Sequence, residues 1–333
     1  MQYHVDGELV PAEDATVSVR DRGFMYGDAA FETVRAYGGR VFEWEAHAER
    51  LRRTCRALSL DHGLSDADLR DRIRDTLAGN DLEDAYVKLS ISRGVQPGKL
   101  APGPVEDPTV VVVVSELPRG GRADRGGRPV WGGPATAAVV ETRRIPDAAL
   151  PAHAKTHNYL NGILARLELG DGDAESDGAD SDSDETGADP DDAPDEAIML
   201  DADANLAEGA TSNLFFVRGG VLHTPSLDGP ILPGVTRRVV LELADEAGIP
   251  VEERTYGSDA LRGADEAFLT NSTWEIRPLA AVEGRDGETT ELGPGPVTDR
   301  LADAFDARVE RDYYEASGVR DEKTEKRGSE SSE

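Results

Sequence analysis

Lysine is the scarce side chain in this sequence. Only Lys88, Lys99, Lys155, Lys323 and Lys326 occur among 333 residues, so a lysine kept inside an ordered stretch carries information. Lys155 lies in His153-Ala154-Lys155-Thr156-His157-Asn158-Tyr159, just ahead of an apolar-periodic run. A partly desolvated amine there can act as nucleophile and proton carrier. The plain alternative is a surface lysine at a helix start. His153 and His157 stand four apart, a spacing that can set two imidazoles on one helix face for a metal. The first precedes the expected helix, however, and neither an acidic ligand nor a cysteine accompanies the pair, so no metal is expected.

Three further segments carry chemistry. In Asn205 to Val217 a polar turn with Gly209 feeds the apolar run Leu214-Phe215-Phe216-Val217, with Glu208 at its entrance. One reading is a solvated loop carboxylate. The other is a carboxylate that keeps a heterocyclic nitrogen protonated, so that the ring can accept electrons from a carbanion. Pro230 to Arg237 is a Pro/Gly turn running into a helix, where free N–H groups of Val235 and Thr236 would cradle a phosphate. Thr236 can equally cap that helix. Thr270-Asn271-Ser272-Thr273, at the end of a predicted strand, can complete an anion nest. No Walker A or dinucleotide fingerprint competes for the phosphate.

The elements that must position these groups follow from periodicity. Val34 to Phe42 reads as two short strands around Gly38-Gly39, whose freedom at positive φ suits a tight turn. Leu51, Cys55 and Leu58 repeat at helical spacing within Glu45 to Leu60. Val87, Leu89 and Ile91 alternate with polar residues as in a half-buried strand, and Val110 to Val114 is an apolar run expected to be buried on both faces. Residues 1–118 therefore read as a small α/β domain, 119–128 as a Gly/Arg-rich linker, and 129–316 as a larger domain. In the latter, Leu160, Ile163, Leu164 and Leu167 predict a core helix, and Val239 to Ala247 another that stops at Gly248. Residues 171–195 hold no lysine or arginine and almost no large apolar side chain, which predicts a disordered acidic insert. The tail 317–333 has a similar composition.

Composition narrows the partners. Sixty-six acidic residues against 36 basic ones give a formal charge of -30, which repels nucleic acid and suits a high-salt interior where self-repulsion is screened. Cys55 is the single cysteine, so no intrachain disulfide can form. The N-terminus opens with a polar segment rather than a basic stretch followed by an apolar run, and no window offers eighteen apolar residues, so a cytoplasmic protein without membrane partners is expected.

Taken in order, Asp21 to Asp28, Phe31-Glu32-Thr33-Val34-Arg35, His47 to Leu51, Lys155 to Asn158, Glu208 to Phe216 and Leu232 to Arg237 resemble the class-IV aminotransferases. These include branched-chain and D-amino-acid aminotransferases and aminodeoxychorismate lyases. The resemblance implies an α/β (α+β) fold of two domains, the fold type IV architecture, with pyridoxal 5'-phosphate between them and a homodimer as the working unit. It implies that Lys155 holds the cofactor as a Schiff base, that Glu208 pairs with its ring nitrogen, and that Tyr159 bonds its 3-oxygen. Arg50, the amides of Val235 and Thr236, and Ser272 would take the phosphate. Tyr26 and Phe31 would line the substrate pocket, and Asn213 would support the Glu208 turn.

Within the family, Pro97-Gly98-Lys99-Leu100 stands where D-amino-acid aminotransferases place an arginine and a histidine for the substrate carboxylate. Phe31-Glu32-Thr33 and the short Lys155-to-Asn158 spacing look closer to aminodeoxychorismate lyases, which use a threonine hydroxyl at the position of Thr33. Lys99 would replace the cation those lyases carry nearby. The expected reaction is therefore cleavage of aminodeoxychorismate to 4-aminobenzoate and pyruvate, with Thr33 and Lys155 as catalytic residues. Transamination of a branched-chain amino acid with 2-oxoglutarate is the alternative. A non-catalytic acidic interaction protein would explain the charge but not the ordered motifs.

Overall fold

The computed structural model describes residues 1–117, 131–170 and 193–315. The linker and the tail read from composition, and residues 171–192 of the acidic insert, lie outside them. Chain order in the first part is β1 (Gln2–Val5), β2 (Glu8–Pro11), α1 (Arg22–Tyr26), β3 (Ala29–Tyr37), β4 (Arg40–Val41), α2 (Trp44–Ala57), α3 (Asp66–Ala78), β5 (Ala85–Ser92) and β6 (Val110–Glu116). The second part continues with β7 (Ala135–Arg143), α4 (Leu160–Leu167), β8 (Glu196–Leu200), β9 (Leu206–Gly209), β10 (Asn213–Arg218), β11 (Val221–Pro225) and α5 (Val235–Glu246). It ends with β12 (Val251–Arg254), β13 (Glu266–Asn271), β14 (Glu275–Glu283), β15 (Thr289–Glu291) and α6 (Pro296–Val309).

The six strands of the first part form one sheet in the order β2-β1-β6-β5-β3-β4, all neighbours antiparallel. The β3–β4 turn falls on Gly38 and Gly39, both at positive φ, as the paired glycines predict. Helices α2 and α3 pack on one face through Leu51, Cys55, Leu69, Ile73 and Leu77. At β6 only that face is sealed, whereas β3 is buried on both. Val110, Val112 and Val114 are buried while Val111 and Val113 are half-buried, so the valine run is not the doubly covered strand its composition predicts.

The second sheet runs β12-β11-β10-β13-β14-β7-β8-β9, with β15 on β14, and mixes antiparallel pairs with parallel ones at β11–β12, β14–β7 and β7–β8. Phe215 and Phe268 stack on neighbouring strands 5.0 Å apart and pack with Val239, Val240 and Leu243 of α5. The expected helix after Lys155 forms as α4, but its apolar stripe does not enter the core. Gly162 and Ala165 face inward, whereas Leu160, Ile163, Leu164 and Leu167 are 46–65% exposed. The physical reason is proximity: a Cβ at Gly162 would lie 3.2 Å from the Ala210 carbonyl, so only small residues fit the inner face.

The acidic stretch also ends earlier than composition suggests. Asp195, placed inside the predicted insert, pairs with Arg277 at 2.8 Å and accepts the Thr136 N–H at 2.8 Å, tying β8 to β7 and β14. Among the described residues no helix is long and apolar enough to cross a membrane.

Candidate active site

Lys155 reaches its place because its segment is laid along β3 as a short antiparallel strip. The Phe31 N–H donates to the Lys155 carbonyl at 3.0 Å, His157 donates to the Ala29 carbonyl at 3.0 Å, and Ala30 bridges Thr156. From the other side, the Thr54 hydroxyl of α2 accepts the Lys155 N–H at 2.9 Å. The segment Asp21 to Asp28 closes the arrangement. Asp21 caps α1, Asp28 is gripped by Arg22 at 2.7 Å and Arg93 at 2.8 Å, and Gly27, at φ 68°, leans on Asn158 where a Cβ would meet its amide at 3.3 Å. The lysine side chain lies over the Phe31 ring, 4.4 Å from its centroid, and donates to the Tyr159 hydroxyl at 3.2 Å.

These groups open on a cavity of about 330 Å³ between the two sheets, the size of an ordinary small-molecule pocket. Glu208 stands on one wall. It sits within β9, opposite Met199 of β8, and not in a loop as the polar composition around it suggests. Its Oε1 accepts from Arg144 Nε at 2.6 Å, and its Oε2 from the Leu232 amide at 2.9 Å and Asn213 Nδ2 at 3.3 Å. Burial pushes the Glu208 carboxyl above its ordinary range, against the pull of Arg144.

The floor is built for an oxyanion. No side chain caps the N-terminus of α5, which leaves the first N–H groups of the helix, with Val235 and Thr236, facing the cavity. Gly234 allows this approach, because a Cβ there would fall 2.0 Å from Asn213 Oδ1. Ser272 lines the same wall, and the Thr270 hydroxyl beside it is buried without a hydrogen-bond partner. Arg50 completes the floor. Its Nε and Nη2 donate to Glu32 at 2.9 and 2.6 Å, Nη2 also lies 3.5 Å from His47 Nδ1, and Nη1 donates to the Pro233 carbonyl at 3.2 Å, leaving a second N–H on Nη1 for a ligand. Glu32 has no exposed surface. Burial opposes its ionisation, but the Arg50 guanidinium and the His47 ring at 2.8 Å outweigh that and hold it at about 2.

The opposite wall comes from β3 and β5. Thr33 and Lys88 are Cα partners across these strands, and both line the cavity with Phe31, Tyr86 and His157. His157 bonds the Ser90 hydroxyl at 3.1 Å, and burial followed by the charge of Lys88 lowers its imidazole to about 4. His157 is therefore a neutral polar group. His153 is exposed and takes no part. Among the described residues no cluster of three potential metal ligands occurs.

A lysine amine held beside a tyrosine hydroxyl, a buried carboxylate fit for a ring nitrogen and an uncapped helix start with an arginine together fit pyridoxal phosphate. The amino-transferase class IV family model matches residues 29–282. The chain belongs to the class-IV aminotransferases. Among similar proteins, the putative branched-chain-amino-acid aminotransferase of Methanocaldococcus jannaschii is 34% identical over 92% of this chain and 95% of that protein. The aminodeoxychorismate lyase of Bacillus subtilis is 33% identical over 86% and 90%. The solved branched-chain aminotransferase of Thermoproteus uzoniensis superposes with a TM-score of 0.78 at 30% identity, covering 95% of this chain and 96% of that one. The 4-amino-4-deoxychorismate lyase of Pseudomonas aeruginosa gives 0.71 at 31% identity, covering 93% and 98%. The architecture is fold type IV, and this class-IV enzyme uses pyridoxal 5'-phosphate for lyase or aminotransferase chemistry.

Of the residues singled out in the sequence, this class-IV site brings together Lys155, Thr33, Phe31, Arg50, Tyr159, Glu208, Val235, Thr236 and Ser272. Tyr26 and Lys99 are not among the lining residues. Tyr26 is 39% exposed under the Arg22 guanidinium, and Lys99 points to solvent while its carbonyl accepts from Arg22. Lys88, read in the sequence only as part of an alternating strand, lines the cavity instead. Glu32, His47 and Arg144 also went without a role. A charged residue in an otherwise buried strand was the available signal for Glu32; nothing local marks Arg144, whose partner lies 64 residues away.

Proposed function

We propose that the protein is an aminodeoxychorismate lyase, releasing 4-aminobenzoate and pyruvate. The observation that carries this reading is the Thr33–Lys88 pair: a hydroxyl and an ammonium side by side on the wall facing Lys155, flanked by the neutral His157 and by Tyr86. Such a wall suits a substrate bearing a carboxylate remote from its amino group. An aliphatic side chain would cover this polar wall without forming a hydrogen bond or an ion pair to it.

In this reading Lys155 Nζ would hold the cofactor and, once the incoming substrate amine has displaced it, the freed amine would take the ring proton beside the substrate nitrogen and return a proton to the departing enolpyruvate. Pyridoxal phosphate, when bound, would supply the electron sink. Glu208 would hold its ring nitrogen, Tyr159 its 3-oxygen, and Arg50, Ser272 and the amides of Val235 and Thr236 its phosphate. Thr33 orients the substrate. Branched-chain transamination is the second reading, favoured by the 34% identity to the Methanocaldococcus protein.

Two other parts of the reading are structural. Residues 1–118 and 129–316 form two domains flanking the site, and the enzyme works as a cytoplasmic homodimer. Support for the dimer comes from the exposed stripe of α4 and from Phe24 and Met25 of α1, 73% and 40% exposed, since monomers seldom leave so many large apolar side chains in water.

The deciding experiment supplies aminodeoxychorismate without any oxo-acid acceptor and follows 4-aminobenzoate. A lyase turns over continuously, and valine alone leaves its cofactor band in place. If valine bleaches the band stoichiometrically while aminodeoxychorismate is inert, the lyase assignment gives way to transamination.

A further inference from the structure

We infer that Arg144 is a positioning residue that keeps Glu208 ionised, so that the Arg144–Glu208 pair, and not the carboxylate alone, sets the protonation of the cofactor's ring nitrogen. The inference rests on the reading of Glu208 as the partner of that nitrogen. Three donors reach the Glu208 carboxylate, from Arg144, Leu232 and Asn213, and only Arg144 is charged. Its Nε contact, at 2.6 Å, is the shortest of the three and occupies Oε1, while both neutral donors share Oε2. The carboxylate is 6% exposed, an environment that favours the neutral acid unless a cation offsets it. A protonated Glu208 has no negative charge to balance a pyridinium and would leave the ring a poorer electron acceptor.

The geometry of Arg144 is fixed from behind. Its N–H donates to the Leu200 carbonyl at 2.8 Å, just past the end of β7, and its Nη1 donates to Asn161 Oδ1 at 3.2 Å. Asn161, on the inner side of α4, also accepts the Ile145 N–H at 3.1 Å and donates to the Arg143 carbonyl at 2.8 Å. One amide therefore grips residues on both sides of Arg144 as well as its guanidinium. Behind the ion pair lies a second cavity of only about 30 Å³, lined by Arg144, Asn161, Met199 and Glu208. That is room for roughly one water, and with 16% and 8% of the two side chains exposed the pair is screened less than a surface one.

A residue that merely anchors the end of β7 would look similar in outline, and the test separates the two roles. The full chain is compared with R144M, R144K, E208Q and the R144M/E208Q double variant. Three quantities are read: the Kd of the apoprotein for pyridoxal phosphate, the pH midpoint of the bound cofactor's visible band, and the melting temperature of the apoprotein. R144M is expected to weaken cofactor binding roughly tenfold and to raise the midpoint by about one pH unit, since a one-unit shift corresponds to a tenfold change in the balance of protonation states. R144K, keeping the cation, should restore most of the midpoint shift. In the E208Q background the loss of Arg144 should cost less than about twofold, because residues acting through one another are non-additive. An unchanged midpoint in R144M, or an equal loss with and without the Glu208 carboxylate, overturns the inference. Should R144M fail to fold, R144Q, which keeps a hydrogen-bond donor without the charge, takes its place, and a midpoint in R144Q equal to that of the unaltered chain overturns the inference as well. If E208Q alone leaves both Kd and midpoint untouched, the ring-nitrogen reading of Glu208 fails first, and that result is distinct from any behaviour of Arg144.

Discussion

Arg50 and Glu32 meet as a two-point ion pair, Nε to Oε1 at 2.9 Å and Nη2 to Oε2 at 2.6 Å, with 4% and 0% of their side chains exposed. Arg50 Nη1 also reaches the Pro233 carbonyl at 3.2 Å, just ahead of α5, and His47 shares Oε2 of the carboxylate at 2.8 Å. A phosphate on that floor is thus met by a charge whose orientation is set before the ligand arrives.

Replacing Glu32 with Gln should be costly and should change the acid limb of stability. Breaking a buried pair from one side leaves an uncompensated charge, an effect of about 3–5 kcal/mol. Glu32 is depressed from 4.5 to about 2, so its contribution is present above the unfolded value and disappears as pH falls through that window. Thermal melts between those limits should show a steep acid loss in the unaltered protein and a shallower one in E32Q. Equal slopes would show that the pair does not titrate with folding.

Borohydride reduction of the holoenzyme followed by peptide mapping should tag Lys155. The informative competitor is Lys88, whose Nζ lies 5.2 Å from the same Phe31 centroid that Lys155 approaches to 4.4 Å. Lys155→Ala should retain the fold and phosphate affinity while losing the visible band. A tag on Lys88 would reverse the roles of the two walls.

What the sequence made legible was local. The β3–β4 turn, α2, α5 and the Lys155 segment each announce themselves within a dozen residues, through paired glycines, helical periodicity and a rare lysine. The roles missed are those set by partners elsewhere in the chain: Arg144 beside Glu208, Glu32 beside Arg50, Lys88 beside Thr33. Periodicity also identifies a helix without telling which way its apolar stripe faces. In α4 the tight approach of Gly162 to Ala210 puts the small residues inward and Leu160, Ile163, Leu164 and Leu167 outward. A cation for the substrate is expected at Lys99 from a loop motif, whereas strand register puts Lys88 of β5 on the cavity wall.

The outward stripe of α4 gives a direct test of assembly. Ile163→Glu with Leu164→Glu should convert a dimer to monomer in light scattering while leaving the monomer folded, since both side chains are about half exposed already. Such charges should cost little in an isolated chain. A protein that is monomeric before substitution refutes the proposed dimer outright.

Salt should stabilise the enzyme. With a formal charge of -30, acidic side chains repel across the surface at low ionic strength, where screening reaches about 10 Å at 0.1 M and only about 3 Å at 1 M. The melting temperature should climb between those concentrations of potassium chloride. A flat or falling curve would mean that surface ion pairs outweigh the net repulsion.

Lys88 and Thr33 carry the substrate reading, and they should fail differently. They face each other across β3 and β5, so removal of either leaves the strand pairing and the Lys155 segment intact. If the ammonium binds a remote carboxylate before chemistry starts, Lys88→Met should raise KM for aminodeoxychorismate by about tenfold or more with little change in kcat, the signature of lost uniform binding. Thr33→Val, which keeps shape and deletes the hydroxyl, should lower kcat instead if that hydroxyl orients the reacting ring. Valine carries no second carboxylate, so any transamination of it should be nearly indifferent to Lys88→Met. A Lys88→Met enzyme that keeps its KM for aminodeoxychorismate removes the basis for preferring the lyase, and the substrate wall would then have to recognise its ligand through Tyr86 and His157 alone.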